Sequence, residues 1–189
     1  PDVPPSDELD LIHKCILHRT SALAVEVDSA LSSYRFDVAA DRLYHFFWHE
    51  YADWYIELVK PALQGSDEER VPALAVLLEV HDRTLRMLHP FIPFVTEEIW
   101  QVLPPCEDDR LSLGDESRTI TRSAYPTAVP HWQNDDAVAT MQLLQDVVTV
   151  VRTVRSEGGV PPSNRITAVI QGASDDIGAT LRTHRVHVV

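Results

Sequence analysis

Three carboxylates, Glu50, Asp53 and Glu57, stand at i, i+3 and i+7 in an aromatic-rich run, a spacing that gathers them on one side of a helix. Neighbouring carboxylates are the raw material of acid–base or metal-assisted hydrolysis. Glu50 most needs explaining, because a helical wheel puts it near the middle of an apolar stripe with Phe46, Phe47 and Trp54, where a bare carboxylate is costly. It requires an Arg, His or backbone N–H partner from another helix, and a buried structural carboxylate accounts for it better than a catalytic one. His45 and His49, one turn apart, resemble a metal clip. They point to the most polar side, however, no Cys accompanies them, and His49-Glu50 is not followed by a second His at metalloprotease spacing. Cys15 and Cys106 form no metal or redox pattern. The expectation is no catalytic group and no metal site.

These residues are carried by a run from Asp37 to Lys60 that no Gly or Pro interrupts, with Asp37 as cap and Pro61 as stop. The spacing predicts one long helix with Ala39, Leu43, Phe46, Phe47, Trp54 and Leu58 on one face and Tyr44, Trp48, Tyr51 and Tyr55 on the flank. Aromatic surface on adjoining faces implies neighbours on more than one side, the position of a bundle's central helix.

Around it, a first helix is predicted from Asp7 to Ser33, with Ser6 as cap. Its one-sided stripe of Leu9, Ile12, Ile16, Leu23, Val27, Ala30 and Tyr34 implies a place on the outside of the bundle. Ser66 and Glu69 stand at capping-box spacing ahead of a helix to Leu88, with Leu74, Leu77, Leu78, His81, Leu85 and Leu88 inward and Glu79, Arg83 and Arg86 outward. His81 reads as a hydrogen-bonded core histidine. His89 to Phe94, with two prolines, makes a buried elbow, and Val95 to Leu103 a short fourth helix before Pro104-Pro105.

An antiparallel helix bundle over 1–105 follows from these short joints. Residues 106–133 form an acidic connecting segment with one candidate strand, Thr119–Arg122. Over 134–189 the pattern predicts a fifth long helix, capped at Asn134-Asp135-Asp136 and ended by Gly158-Gly159. A small, partial α/β unit follows: a strand at Arg165–Ile170, a helix from Asp175 to His184 and a strand at Arg185–Val189. The fold class is therefore mainly α.

A net charge of −13 excludes a generic nucleic-acid binder, since nonspecific phosphate attraction needs a basic surface. Any RNA contact must use a local patch, and no DNA partner is expected. No apolar run approaches a membrane span, Pro1 to Glu8 is no signal peptide, and two lone thiols suit a reducing compartment. The expected setting is cytoplasmic, with no membrane partner.

Tyr34-Arg35-Phe36 with Ala39-Ala40, Leu43-Tyr44, Phe47-Trp48, Glu50, Asp53-Trp54-Tyr55 and Lys60-Pro61 resembles the helical anticodon-binding domain of valyl-tRNA synthetase. The stretch from Leu88-His89-Pro90 to Ile99-Trp100 is similar to a signature shared by the valyl, isoleucyl and leucyl enzymes. Val151 to Glu157 with Val160-Pro161-Pro162-Ser163 is similar to the valyl enzyme's region after the bundle. The likeness covers nearly the whole chain. The His-x-Gly-His and Lys-Met-Ser-Lys-Ser elements of that class do not occur, nor does the Asn-Lys-x-x-Asn-x-x-Arg-Phe helix associated with its anticodon site.

The resemblance implies recognition rather than chemistry: the tRNA anticodon-binding portion of a valine–tRNA ligase. Its partners would be tRNA(Val) and the catalytic domain of the same polypeptide; ATP would belong to that domain, with no cofactor here. Exposure points to Arg35 at the first joint, Arg83 and Arg86 on the third helix and Arg152 and Arg155 on the fifth as tRNA-binding residues. A free-standing helical adaptor without catalysis is the competing reading, and a hydrolase built on Glu50, Asp53 and Glu57 the third.

Overall fold

The computed structural model describes residues 2–104, 119–161, 164, 166–170 and 174–184. Residues 106–118, with Cys106, and the strand expected at 185–189 lie outside them. The helices are α1 (Leu11–Ser32), α2 (Phe36–His45), a π-helical segment (Phe46–Tyr55), α3 (Ile56–Leu63), α4 (Asp67–Leu88), α5 (Pro93–Gln101), α6 (Asp135–Glu157) and α7 (Asp175–Thr183). They fall into two compact units, Pro1–Asn134 and Asp135–Val189. No described helix is long and apolar enough to cross a membrane.

The first unit is the predicted bundle, and its central rod runs unbroken from Phe36 to Leu63. It is not uniformly α-helical. The buried positions along it are Ala39, Leu43, Phe46, Tyr51, Tyr55 and Val59, with one five-residue step between Phe46 and Tyr51. A π turn, bonded i to i+5, places such residues on one face. A wheel of constant 3.6-residue period therefore misplaces the second half of the rod. Trp54 and Leu58 are only half-buried, whereas Tyr51, Tyr55 and Val59 are at 2, 3 and 0% exposure. Tyr44 and Trp48, expected among neighbours, stand in solvent with their rings 6.3 Å apart. Pro61 does not stop the rod but sits in its last turn.

Two buried hydroxyls pin the rod to its neighbours. The Tyr51 hydroxyl lies 3.1 Å from His81 Nδ1 of α4, with the rings stacked at 5.8 Å. The Tyr55 hydroxyl lies 3.1 Å from His13 Nδ1 of α1. α1 packs on α2, α4, the π segment and the turn at Pro130–Trp132. It buries His13, Leu17, Thr20 and Ala24 besides the predicted stripe, so it is not one-sided. Its start is delayed to Leu11 because Leu9 is extended and tucked into the core. Tyr34, predicted inward, is 82% exposed, because its left-handed backbone (φ 56°) turns the chain outward at the joint.

α4 opens with the predicted capping box, in which the Ser66 N–H donates to Glu69 Oε2 at 3.0 Å. α5 begins with Pro93 in its first turn. The elbow before it is exposed rather than buried, with Phe94 at 91%. Thr96 ties it down, its Oγ1 lying 2.8 Å from His89 Nδ1 and 2.9 Å from the Ile92 carbonyl it donates to.

Residues 119–134 belong to the first unit and strap across it, so the connecting segment expected over 106–133 ends as part of the bundle. Ile120 packs with Leu85, Trp100 and Leu103. Thr119–Arg122 is no strand: Ile120–Arg122 is a 3-10 turn whose start is held by Glu97 Oε2, which accepts from Thr119 Oγ1 and the Ile120 N–H. Ser21 Oγ bonds the Val129 N–H at 2.8 Å.

In the second unit α6 ends at Gly158-Gly159, with Gly159 at φ 64°. α7 is capped by Ser174, whose Oγ accepts from the Ile177 N–H at 3.3 Å. The strand predicted at 165–170 is absent at 166–170, and no strand occurs among the described residues. Alternating Ile166 to Ile170 instead lies along a groove with Val147, Val150, Val151 and Val154 of α6, with no second strand among the described residues to bond it. The helical fold stands; an α/β unit is not seen among the described residues.

Burial pushes the His81 imidazole below its ordinary value, against the upward pull of Asp82. A lowered folded pKa means stability that is complete above the unfolded value of about 6.5 and is lost as pH falls below it. The melting temperature should therefore drop between pH 7.5 and 5, and the drop should shrink in His81→Gln. At pH 7.5, Tyr51→Phe should cost about 1 kcal/mol in urea unfolding by removing the imidazole's partner.

Candidate nucleic-acid interface

The five arginines singled out above fall into two physical classes. Arg35 is the residue before α2 and is exposed at the joint. Its own N–H is fixed to the Ala30 carbonyl at 2.8 Å, so the backbone of the joint is rigid while the guanidinium faces solvent. Tyr34 and Phe36 flank it at 82 and 56% exposure, their rings edge-on at 6.3 Å. Beside them runs a groove between α1 and α2 lined by Ser29, Ser33, Val38, Arg35 and Arg42. Arg42 pairs across it with Glu26 at 3.5 Å, both half-exposed. An exposed cation whose neighbours in sequence are two solvated aromatic rings is an arrangement that could hold a phosphate and stack a base.

Arg83 and Arg86 are structural struts, not outward cations. Their side chains are 15 and 11% exposed. Arg83 Nε donates to Glu79 at 2.6 Å, Nη1 to the Thr127 carbonyl at 3.1 Å, and the guanidinium lies 4.8 Å from the Trp132 ring centre. Arg86 Nη1 donates to the Ala124 carbonyl at 3.0 Å and Nη2 to Asp82 Oδ2. Asp82 is 2% exposed, and its other oxygen accepts from Trp100 Nε1 at 2.6 Å. The strap thus covers the side of α4 expected to meet solvent. The i, i+4 spacing of Glu79 with Arg83 and Asp82 with Arg86 was a visible signal of pairing; the strap carbonyls and Trp132 are distant in sequence and gave none.

Arg152 and Arg155 lie on α6, in the second unit. Arg152 is exposed, while Arg155 Nη2 closes the turn after α6 by donating to the Pro161 and Asn164 carbonyls at 2.8 and 3.2 Å.

Glu50 is half-buried and faces Arg19 of α1 at 3.4 Å. Burial raises its pKa, against the lowering influence of Arg19 and His45. Cys15 lies in the same neighbourhood, its thiol pushed up to about 11, chiefly by burial and despite Arg19. Asp53 turns to His49 at 3.5 Å and Glu57 to Lys60 at 2.5 Å. The three carboxylates take three different partners and form no shared site. No group of three or more His, Cys, Asp or Glu is placed to hold a metal among the described residues.

A family described as the anticodon-binding domain of tRNA ligase matches residues 13–170. The chain is 37% identical to a valine–tRNA ligase of Nitratidesulfovibrio vulgaris over 97% of its length, and 39% identical to one of Geobacter sulfurreducens over 100%. It is 42% identical to one of Syntrophotalea carbinolica over 86%. It spans about a fifth of the length of these curated relatives, 20, 21 and 17% respectively.

Arg86→Ala should destabilise the fold by about 3 kcal/mol in chemical denaturation, because it strands the buried Asp82 carboxylate. Alkylation at pH 8, followed by mass spectrometry of the Cys15 peptide, should run roughly two orders of magnitude slower than for an ordinary thiol, since a pKa near 11 leaves little thiolate.

Proposed function

Because this chain belongs to the anticodon-binding domain family of the tRNA ligases, we propose that it is the anticodon-reading portion of a valine–tRNA ligase, gripping tRNA(Val) for aminoacylation. The observation that carries the reading is identity of 36 to 42% to valine–tRNA ligases along nearly the whole chain. Activation of valine with ATP, and the transfer of valine to tRNA, would belong to a catalytic domain in the same polypeptide. No group within this chain is asked to do chemistry, and none needs a cofactor. The proposed setting is cytoplasmic, where tRNA is charged.

Recognition here depends on placing a few cations and ring faces on an acidic body. Unstacked anticodon bases offer flat faces and Watson–Crick edges, and exposed rings at a rigid joint can receive the faces. In this proposal Arg35 neutralises a phosphate and Tyr34 and Phe36 flank the base beside it. Arg152, exposed on α6, is the second candidate cation. Arg83 and Arg86 are not carried forward, since both side chains are largely buried and tied to Glu79, Asp82 and strap carbonyls.

In fluorescence anisotropy with the ligase that carries this domain, a tRNA(Val) transcript should bind more tightly than the same transcript with a foreign anticodon. Arg35→Ala should weaken binding several-fold at low salt and flatten the dependence of log K on log salt by about 0.7 for the one lost phosphate contact. Equal affinity for the two transcripts would overturn the reading.

A further inference from the structure

α5 is apolar on more sides than the bundle covers. Thr96 and Trp100 face inward at 1% exposure each. Ile92, Val95, Ile99 and Val102 recur at i, i+3, i+7 and i+10, which places them on one other side of the helix. They are 46, 49, 38 and 80% exposed, and Phe94 beside them is 91% exposed. Single exposed apolar residues are ordinary, but four on one side of a short helix and its ends, with Phe94 exposed in its first turn, are of the sort that marks an interaction surface.

We propose that this stripe, Ile92, Val95, Ile99 and Val102 with Phe94, is the seat on which the remainder of the ligase polypeptide docks, through an apolar surface with a Lys or Arg rim. The proposal rests on the reading of the chain as part of a valine–tRNA ligase.

Charge and length select that occupant. Glu98 is exposed on α5 at the edge of the stripe, whereas Glu97 faces the strap, accepting from Thr119 and the Ile120 N–H. The carboxylate beside the stripe repels RNA phosphates, and no cation of α5 offsets it. A second copy would bring −13 against −13. A protein surface with basic edges satisfies both constraints. The matched region is 20% of the Nitratidesulfovibrio vulgaris ligase, so a chain of that length carries four-fifths of its residues outside it, ample for an interdomain contact.

The test is hydroxyl-radical footprinting of Phe94 in the full-length ligase and in this 189-residue chain alone. Docking predicts oxidation slower in the ligase by about five-fold, as for an aromatic side chain entering an interface. Phe94→Asp and, separately, the pair Val95→Ser and Val102→Ser should each raise protease cleavage at the domain junction. Each should cut tRNA charging by about ten-fold through misplacement of the tRNA, leaving valine-dependent ATP–pyrophosphate exchange unchanged. All three residues are solvent-facing, so melting of the isolated chain should not move. Equal Phe94 oxidation in the two proteins would overturn the proposal. So would a dimer of the isolated chain that Phe94→Asp dissolves, or loss of tRNA affinity by the isolated chain on the same change. Loss of anticodon discrimination with Phe94 still protected would count against the functional reading and leave the seat standing.

Discussion

Two tyrosine hydroxyls decide how this bundle is assembled. Tyr51 and Tyr55 are buried on the central rod, and a buried hydroxyl without a partner costs more than its ring gains in packing elsewhere. Each is answered by a histidine of a different helix, His81 of α4 and His13 of α1. The π segment is what makes this possible, because its five-residue step carries the buried face from Phe46 to Tyr51 and then on to Tyr55. On a uniform α-helix the same face would have met Trp54, whose indole is larger and whose N–H has one fixed direction. The rod is thus held to its two neighbours at points about one turn apart, and α1 and α4 are fixed with respect to each other through it.

A second set of polar contacts closes the opposite side of α4. Asp82 accepts from Trp100 of α5 and from Arg86 one turn on, and Arg86 reaches the strap at Ala124. A buried carboxylate is tolerable when its oxygens are satisfied and a cation is adjacent, and here both hold. The family-like signature from His89 to Trp100 becomes intelligible in these terms. His89 and Thr96 lock the elbow, Pro93 starts the next helix, and Trp100 supplies the donor that Asp82 needs. The motif is a set of structural fastenings.

Much of this was legible in local pattern. The rod, the capping box at Ser66, the break at the prolines and the helices after Asp135 and Ser174 follow from short-range rules about caps, propensity and proline. So did the need of Glu50 for a partner from another helix, although nothing local named Arg19. Most of the failures share one cause: a neighbour far away in sequence. A wheel of constant period cannot show the π turn that brings Tyr51 and Tyr55 to two histidines elsewhere. Arg83 and Arg86 look solvated until a strap more than thirty residues away lies over them. The alternation at Ile166 to Ile170 describes a strand only where a second strand is present to bond it, and α6 offers side chains rather than backbone. At the candidate interface Arg35 could be picked out as a joint residue, whereas the outward turn of Tyr34 depends on a left-handed backbone that no residue type at that position announces.

The acid–base balance then bears on how an anticodon reader of this kind would work. With −13 overall and its best-placed arginines consumed as struts, the chain has little generic attraction for RNA. For a domain meant to bind any RNA that would be a defect. For one meant to distinguish a single anticodon it is an advantage, because specificity is a difference between affinities and a weak background widens it. A basic surface adds equally to right and wrong partners, whereas ring faces and one or two placed cations add only where a splayed base fits.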